Sequence, residues 1–141
     1  MGERREQLRD VGLLLMRLGM GIGIAIHGYG KLFSDRMPGF IDTVSKLGLP
    51  FGQPSAMAHL AAWSEFGGGL LIVAGLLTRL SALMILGTMC VAFFLAHAGD
   101  PFGEKELAFT YLVMALTLLL TGAGRFSLDA AVELAMKRGG K

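Results

Sequence analysis

Long apolar runs alternate with short polar joints along this chain. Four runs approach the roughly 20 residues that a helix needs to cross a bilayer: residues 11–33, 55–77, 80–98 and 105–122. The apolar part of the last run starts only at Leu107, and Lys105 and Glu106 extend it outward. The first joint, SDRMPGFIDTVSKLGLPFGQP, holds three of the four prolines and is a true connection. Within it Phe40, Ile41, Val44 and Leu47 recur at helical spacing, which predicts a short amphipathic helix at the membrane interface. The second joint is only Thr78 and Arg79, so the runs on either side must form an antiparallel hairpin. AGDPFGEKE joins the third run to the fourth. The tail, 127–141, reads as a short amphipathic helix with Ser127 placed to cap it. Asp129 lies near its start and Lys137 and Arg138 near its end, as the helix dipole favours. The expected fold is all-α: one domain over 1–141, an antiparallel four-helix transmembrane bundle with a short interfacial helix in the first loop and a short amphipathic C-terminal helix.

Composition agrees with a lipid solvent. Of 141 residues, 53% are hydrophobic and 17% charged, against about 25% charged in an average soluble chain, and the mean hydropathy is +0.59. The net charge of +2, with no basic stretch interleaved with aromatics, gives no reason to expect a nucleic-acid partner. A single cysteine, Cys90, excludes an internal disulfide and a thiol–disulfide cycle within the chain. The opening MGERREQLRD carries both signs of charge, and the run after it lacks a small-residue cleavage site, so the first run reads as a retained helix. Counting Lys and Arg near helix ends gives eight on the side of the termini and four on the other, which places both termini in the cytoplasm. Glycines sit inside the runs, and small residues four apart, such as Gly19 and Gly23, predict close helix packing.

The chemistry lies in the ionisable residues inside the apolar runs. A charge at the bilayer centre costs about 2.5–3.5 kcal/mol on insertion scales, so such residues belong inside the bundle with partners. His27, Lys31, Glu65, His97 and Glu106 all fall in the outer half, and every run supplies at least one. Glu65 lies about 15 Å down the second helix, near the midplane. At about 100° per residue, Arg17, His27, Gly28 and Lys31 share one face of the first helix, which is expected to look inward. Arg17, Arg79, Arg125 and Asp129 form a second set toward the cytoplasm, expected to be structural. Plainer readings stand beside these. Lys31 can snorkel to water, His97 can be interfacial, and Glu106 can be a solvated carboxylate at a helix start. Glu65, among Trp63, Phe66 and three glycines, is too deep for that and needs a base or a proton.

Three stretches carry a family resemblance: RLGMGIGIAIHGYGKLF, WSEFGGGLLIVAGLLTRLSAL and ELAFTYLVMALTLLLTGAGRFSLD. Their order and spacing, from about Leu14 to Asp129, resemble the DoxX family of small four-helix membrane proteins. The resemblance implies an integral protein of a bacterial plasma (inner) membrane. It also implies kinship with a membrane subunit of a thiosulfate:quinone oxidoreductase and with proteins linked to redox stress. It carries no assigned roles for His27, Lys31, Glu65, His97, Glu106, Arg125 or Asp129, the positions here that are family-like.

Four functional readings follow. An outer-half polar pocket with His27 or Lys31 as donor and Glu65 as proton carrier suits a quinone head group. No haem, flavin or iron–sulfur motif is present, so no cofactor is encoded by a motif. In that reading the chain is an accessory subunit that needs a redox partner protein, not a self-sufficient catalyst. A metal held by His27, Glu65, His97 and Glu106 is the second reading, although no Glu-x-x-His pair occurs and no metal ligand set is assigned. Small-solute transport is the third; four helices leave little room for a pore, so it calls for a homo-oligomer. The fourth is a structural partner for another membrane protein.

Overall fold

The computed structural model describes residues 2–140, and all regular structure among them is helical. Helix α1 runs Gly2–Leu32, α2 Met37–Lys46, α3 Pro54–Ala74, α4 Thr78–Val91, α5 Phe102–Thr121 and α6 Leu128–Gly139. A π-helical turn, Ala92–Ala96, prolongs α4. The α1, α3 and α4-plus-π segments (Gly2–Leu32, Pro54–Ala74 and Thr78–Ala96) are each long and apolar enough to cross a membrane. Helix α5 has comparable length, but Glu104, Lys105 and Glu106 occupy its beginning and leave it apolar only from Leu107 onward.

The helix limits have local causes. Helix α1 starts well before the apolar run because Glu, Arg, Gln and Leu in ERREQLRD are good helix formers with no breaker among them. Pro38 and Pro54 sit in the first turns of α2 and α3, where a missing N–H costs nothing. Gly75, at φ +68, ends α3 in the left-handed conformation. Leu77 follows at φ +49, costly for a side chain with a Cβ. Its N–H donates to Asp129 Oδ1 at 2.8 Å, and that of Thr78 to Oδ2 at 2.9 Å, so a carboxylate from α6 caps the start of α4. Ser127 caps α6 as the sequence predicts, its Oγ accepting from the Ala130 N–H at 3.2 Å.

Helix α1 packs on α3, α3 on α4, α4 on α5, and α5 returns to α1. Leu13, Met20, Ile24, Ile72, Ala82, Ile85, Met89, Ala115 and Leu118 fill the centre. Solvent exposure is inverted relative to a water-soluble protein. Ile22, Ile26, Leu60, Trp63 and Leu83 are more than half exposed, whereas Arg17 and Glu65 are 1% and 2% exposed. An outer surface of large apolar side chains around buried polar ones is what lipid requires.

The close α1–α3 contact is made by glycines, but not the pair the sequence singles out. A Cβ on Gly69 would lie 2.7 Å from the Gly21 carbonyl oxygen and 2.9 Å from the Ala25 amide nitrogen, and one on Gly28 2.8 Å from the Ala62 carbonyl oxygen. Gly21, Ala25 and Gly28 form one stripe at spacings of four and three. Gly19 has open space where a side chain would go, and Gly23 makes room for the Tyr111 hydroxyl of α5 instead. Gly69→Val is therefore expected to push backbone against backbone and cost about 1–3 kcal/mol. Gly19→Val should stay within about 0.5 kcal/mol of wild type. Thermal unmasking of Cys90, the single thiol, to a fluorogenic maleimide in detergent measures both; equal midpoints for the two variants would contradict this packing.

Candidate functional site

Lys31 lies in the last turn of α1, and its ammonium reaches across to the middle of α3. Its Nζ donates to both Glu65 oxygens, at 2.6 and 2.7 Å. The Glu65 side chain is 2% exposed and that of Lys31 25%. Gly28, one turn before Lys31, makes this possible by letting the α1 backbone approach α3 at Ala62 and Phe66. The Lys31 ammonium also lies over the Phe40 ring of α2, 4.4 Å from its centre.

The ion pair lines one part of a cavity of about 640 Å³ enclosed by α2, α3, α4 and the π turn. The apolar face expected for the first-loop helix does form, and Phe40, Val44 and Leu47 from it roof this space. Met57, Leu60 and Ala61 of α3 and Leu83, Met84 and Gly87 of α4 supply the apolar walls. Ser64 and Thr88 add a hydroxyl pair, Oγ to Oγ1 at 2.9 Å, across the α3–α4 contact. His97 lines the cavity just beyond the π turn, its Nδ1 2.7 Å from the Asp100 carboxylate. Leu60, Leu83 and Met84 belong both to the wall and to the exposed apolar surface, so the cavity borders the lipid-facing side of the molecule.

The structure thus places the Lys31–Glu65 pair and His97 on the lining of one cavity at the end remote from the termini, and leaves His27 and Glu106 outside it. The inward orientation expected for His27 is corrected. The buried stripe of α1 centres on Arg17 and Gly28; His27 falls at its edge, about 80° from Arg17 on the helical wheel. There it is exposed and meets the Tyr111 ring of α5 edge-on, centroids 6.2 Å apart. Glu106 is exposed on the first turns of α5. Among the described residues no three of His, Cys, Asp and Glu cluster closely enough to hold a metal ion.

The second polar set gathers at the other end. Arg17 donates from Nε to Ile72 O at 3.0 Å, from Nη2 to Val73 O at 3.1 Å, and from Nη1 to Ala123 O and Phe126 O at 2.7 and 2.9 Å. Two of these carbonyls belong to the last turn of α3, where helical donors run short and Ile72 O receives only the Gly75 N–H besides Arg17, and a cation there also suits the helix dipole. Asp129 caps α4 as described. Arg79 and Arg125 are exposed on the rim of a separate cavity. Asp10, not singled out by the sequence, is 7% exposed and accepts from the Arg125 N–H at 3.4 Å. Ser64, Thr88 and the α2 roof are further site components that the sequence pattern does not single out. A hydroxyl residue beside Glu65 is visible in the sequence, but its partner on another helix is not.

Comparison with known proteins finds relatives over nearly the whole chain. The chain is 35% identical over 128 residues to "Inner membrane protein YqjF" of Escherichia coli strain K12, covering 88% of this chain and 94% of that protein. It is 33% identical over 131 residues to "Putative oxidoreductase CatD" of Bacillus subtilis strain 168, covering 92% and 93%. No solved structure matches. The DoxX family profile matches residues 12–98, which include the membrane-crossing part of α1, all of α2 to α4 and every residue lining the Lys31–Glu65 cavity. With its apolar helices and buried polar centre, the chain is a membrane protein and belongs to the DoxX family.

Proposed function

We propose that the protein is a redox-associated membrane subunit that holds a quinone or a similar membrane-dissolved amphiphile in the Lys31–Glu65 cavity. In this reading α1, α3, α4 and α5 all cross the bilayer as an antiparallel bundle with both termini in the cytoplasm, and electrons come from a partner protein. The observation that carries it is the buried ion pair set into a largely apolar cavity of about 640 Å³, with Ser64, Thr88 and His97 among its other polar lining. Lys31 has a third proton that Glu65 does not occupy, available to a carbonyl oxygen of a ring. The walls suit an apolar tail, and their continuity with the lipid-facing surface lets such a molecule enter from the bilayer. The oxidoreductase in the name of the Bacillus subtilis relative favours redox work without identifying the substrate.

One observation favours a bracing role as the second reading: Lys31 already serves both oxygens of Glu65, which also suits a rigid partner for another membrane protein. Solvent extraction of the purified protein, with chromatography of the extract for quinones, separates the two. Gly87 lines the cavity and has open space where a side chain would project, so Gly87→Leu fills the site without disturbing a packed contact. The expected result is co-purifying quinone in the wild type, reduced about tenfold or more by Gly87→Leu, a loss of about 1.4 kcal/mol of binding. His27→Ala and Glu106→Gln, outside the cavity, should retain it. Absence of quinone, or equal amounts in Gly87→Leu and wild type, would favour bracing.

A further inference from the structure

The end of the molecule that carries the termini holds a second cavity, of about 630 Å³, between the start of α4, the end of α5, the loop that follows it, and α6. Three guanidiniums from three elements border it: Arg9 of α1, Arg79 of α4 and Arg125 of the α5–α6 loop. Three carboxylates border it too, but each is already engaged. Asp129 accepts the Leu77 and Thr78 N–H groups, one on each oxygen. Asp10 accepts the Arg125 N–H and lies 3.7 Å from Arg9. Glu133 accepts from Lys137 at 2.5 Å, and that hydrogen bond holds its carboxyl below the usual carboxylate range.

The basic side chains are less committed. Arg79 makes only a long contact, 3.5 Å, to the Leu120 carbonyl. Thr78, which also lines the cavity, is fully buried, and its Oγ1 has no hydrogen-bond partner. A buried hydroxyl is nearly always paired. An anion with several acceptor oxygens would bridge two guanidiniums, and a small shift of the side chains over Thr78 would bring its hydroxyl to the same anion. The cavity lies where α3 ends, α4 begins and α5 ends, at the depth of the lipid headgroups in a bilayer-spanning arrangement.

We propose that Arg79, Arg125 and Thr78 form a binding site for a phosphate group, presented by an anionic phospholipid headgroup or by a free phosphorylated solute. The structural set at this end thereby divides in two. Arg17 and Asp129 spend their polar atoms on backbone groups of the fold, whereas Arg79 and Arg125 keep theirs for a ligand. The site is independent of the Lys31–Glu65 cavity at the opposite end.

Two arms identify the source. In the first, protein reconstituted in phosphatidylcholine with a minor fraction of phosphatidylglycerol is extracted and its retained lipid read by native mass spectrometry. In the second, phosphorus NMR line broadening follows inorganic phosphate added to detergent-solubilised protein. The variants are Arg79→Gln/Arg125→Gln, Thr78→Val, and Arg4→Gln/Arg5→Gln as a charge-matched control at the same end. The expected result is retention of phosphatidylglycerol by wild type and by the control, falling about 10–30-fold in Arg79→Gln/Arg125→Gln and less in Thr78→Val. Phosphate broadening without lipid retention, with the same variant pattern, supports the same site with a soluble ligand. Equal losses in the control and in Arg79→Gln/Arg125→Gln would overturn the proposal by reducing it to general surface charge. So would no binding in either arm. If the double variant fails the Cys90 unmasking control, Arg125→Gln alone replaces it.

Discussion

Arg17→Met is expected to be the most destabilising single substitution in this protein. The guanidinium holds four backbone carbonyls on two segments distant in sequence, and the methionine leaves all four without that donor. A buried polar group left unpaired costs about 1–3 kcal/mol, and Ile72 O alone keeps another donor, the Gly75 N–H. A loss of about 4 kcal/mol or more follows, a drop of about 10–15 °C in the unfolding midpoint. Arg17→Lys should recover little of it, because one ammonium on a flexible stem cannot present the planar fork that spans Ile72, Val73, Ala123 and Phe126. Thermal unmasking of Cys90 measures both variants. A midpoint for Arg17→Lys within a degree or two of wild type would show that charge alone, not the fork, holds this end together.

Lys31→Met should be nearly as damaging. Glu65 is almost entirely buried and receives both of its side-chain hydrogen bonds from Lys31. Removing one partner of a buried pair typically costs about 3–5 kcal/mol, because the other is left in a medium that cannot solvate it. The reverse change, Glu65→Leu, should cost less, since the lysine is already a quarter exposed and can swing its ammonium outward. The double variant Lys31→Met/Glu65→Leu should regain most of the stability, because a well-packed apolar pair commonly matches a buried ion pair. It should still fail to retain a quinone. Stability restored together with ligand retention would mean that the pair is not what the ligand meets. A double variant as unstable as Lys31→Met would place the cost in packing and not in the unpaired buried charge.

These two residues also show how far a linear reading reaches. That Arg17, Lys31 and Glu65 need internal partners follows from their position in apolar runs, because lipid offers nothing to hydrogen-bond them. Counting residues along two helices of opposite direction puts Lys31 and Glu65 in the same half of the membrane. Which of the outer-half residues meet is not determined by that count. Depth along a helix is fixed by a rise of about 1.5 Å per residue, but facing direction depends on where the neighbouring helices stand. His27 illustrates the difference: at the right depth and on the right side of α1, it sits at the edge of the buried stripe beside Tyr111 and outside the cavity.

The same distinction holds for the glycines. The sequence shows that α1 is rich in small residues and that small residues allow close approach. It cannot rank Gly19 and Gly23 against Gly21, Ala25 and Gly28, since both sets recur at helical spacing. Only the position of α3 on one side and of α5 on the other makes the choice. The amphipathic helix of the first loop is legible from Phe40, Ile41, Val44 and Leu47, but its role as a roof over a cavity is not.

The sequence by itself determined the solvent, the helical runs and the need to bury Arg17 and Glu65 in spite of their charge. Those are local consequences of composition and periodicity acting in lipid. Tertiary structure decided the partners: Glu65 for Lys31, four carbonyls for Arg17, two amides for Asp129, and a cavity wall for His97 but not for His27 or Glu106. Partnership depends on distances of about 3 Å between groups tens of residues apart, and no local pattern fixes those. They follow from where α1 and α3 touch through glycine, and from where the α5–α6 loop closes over the end of α3.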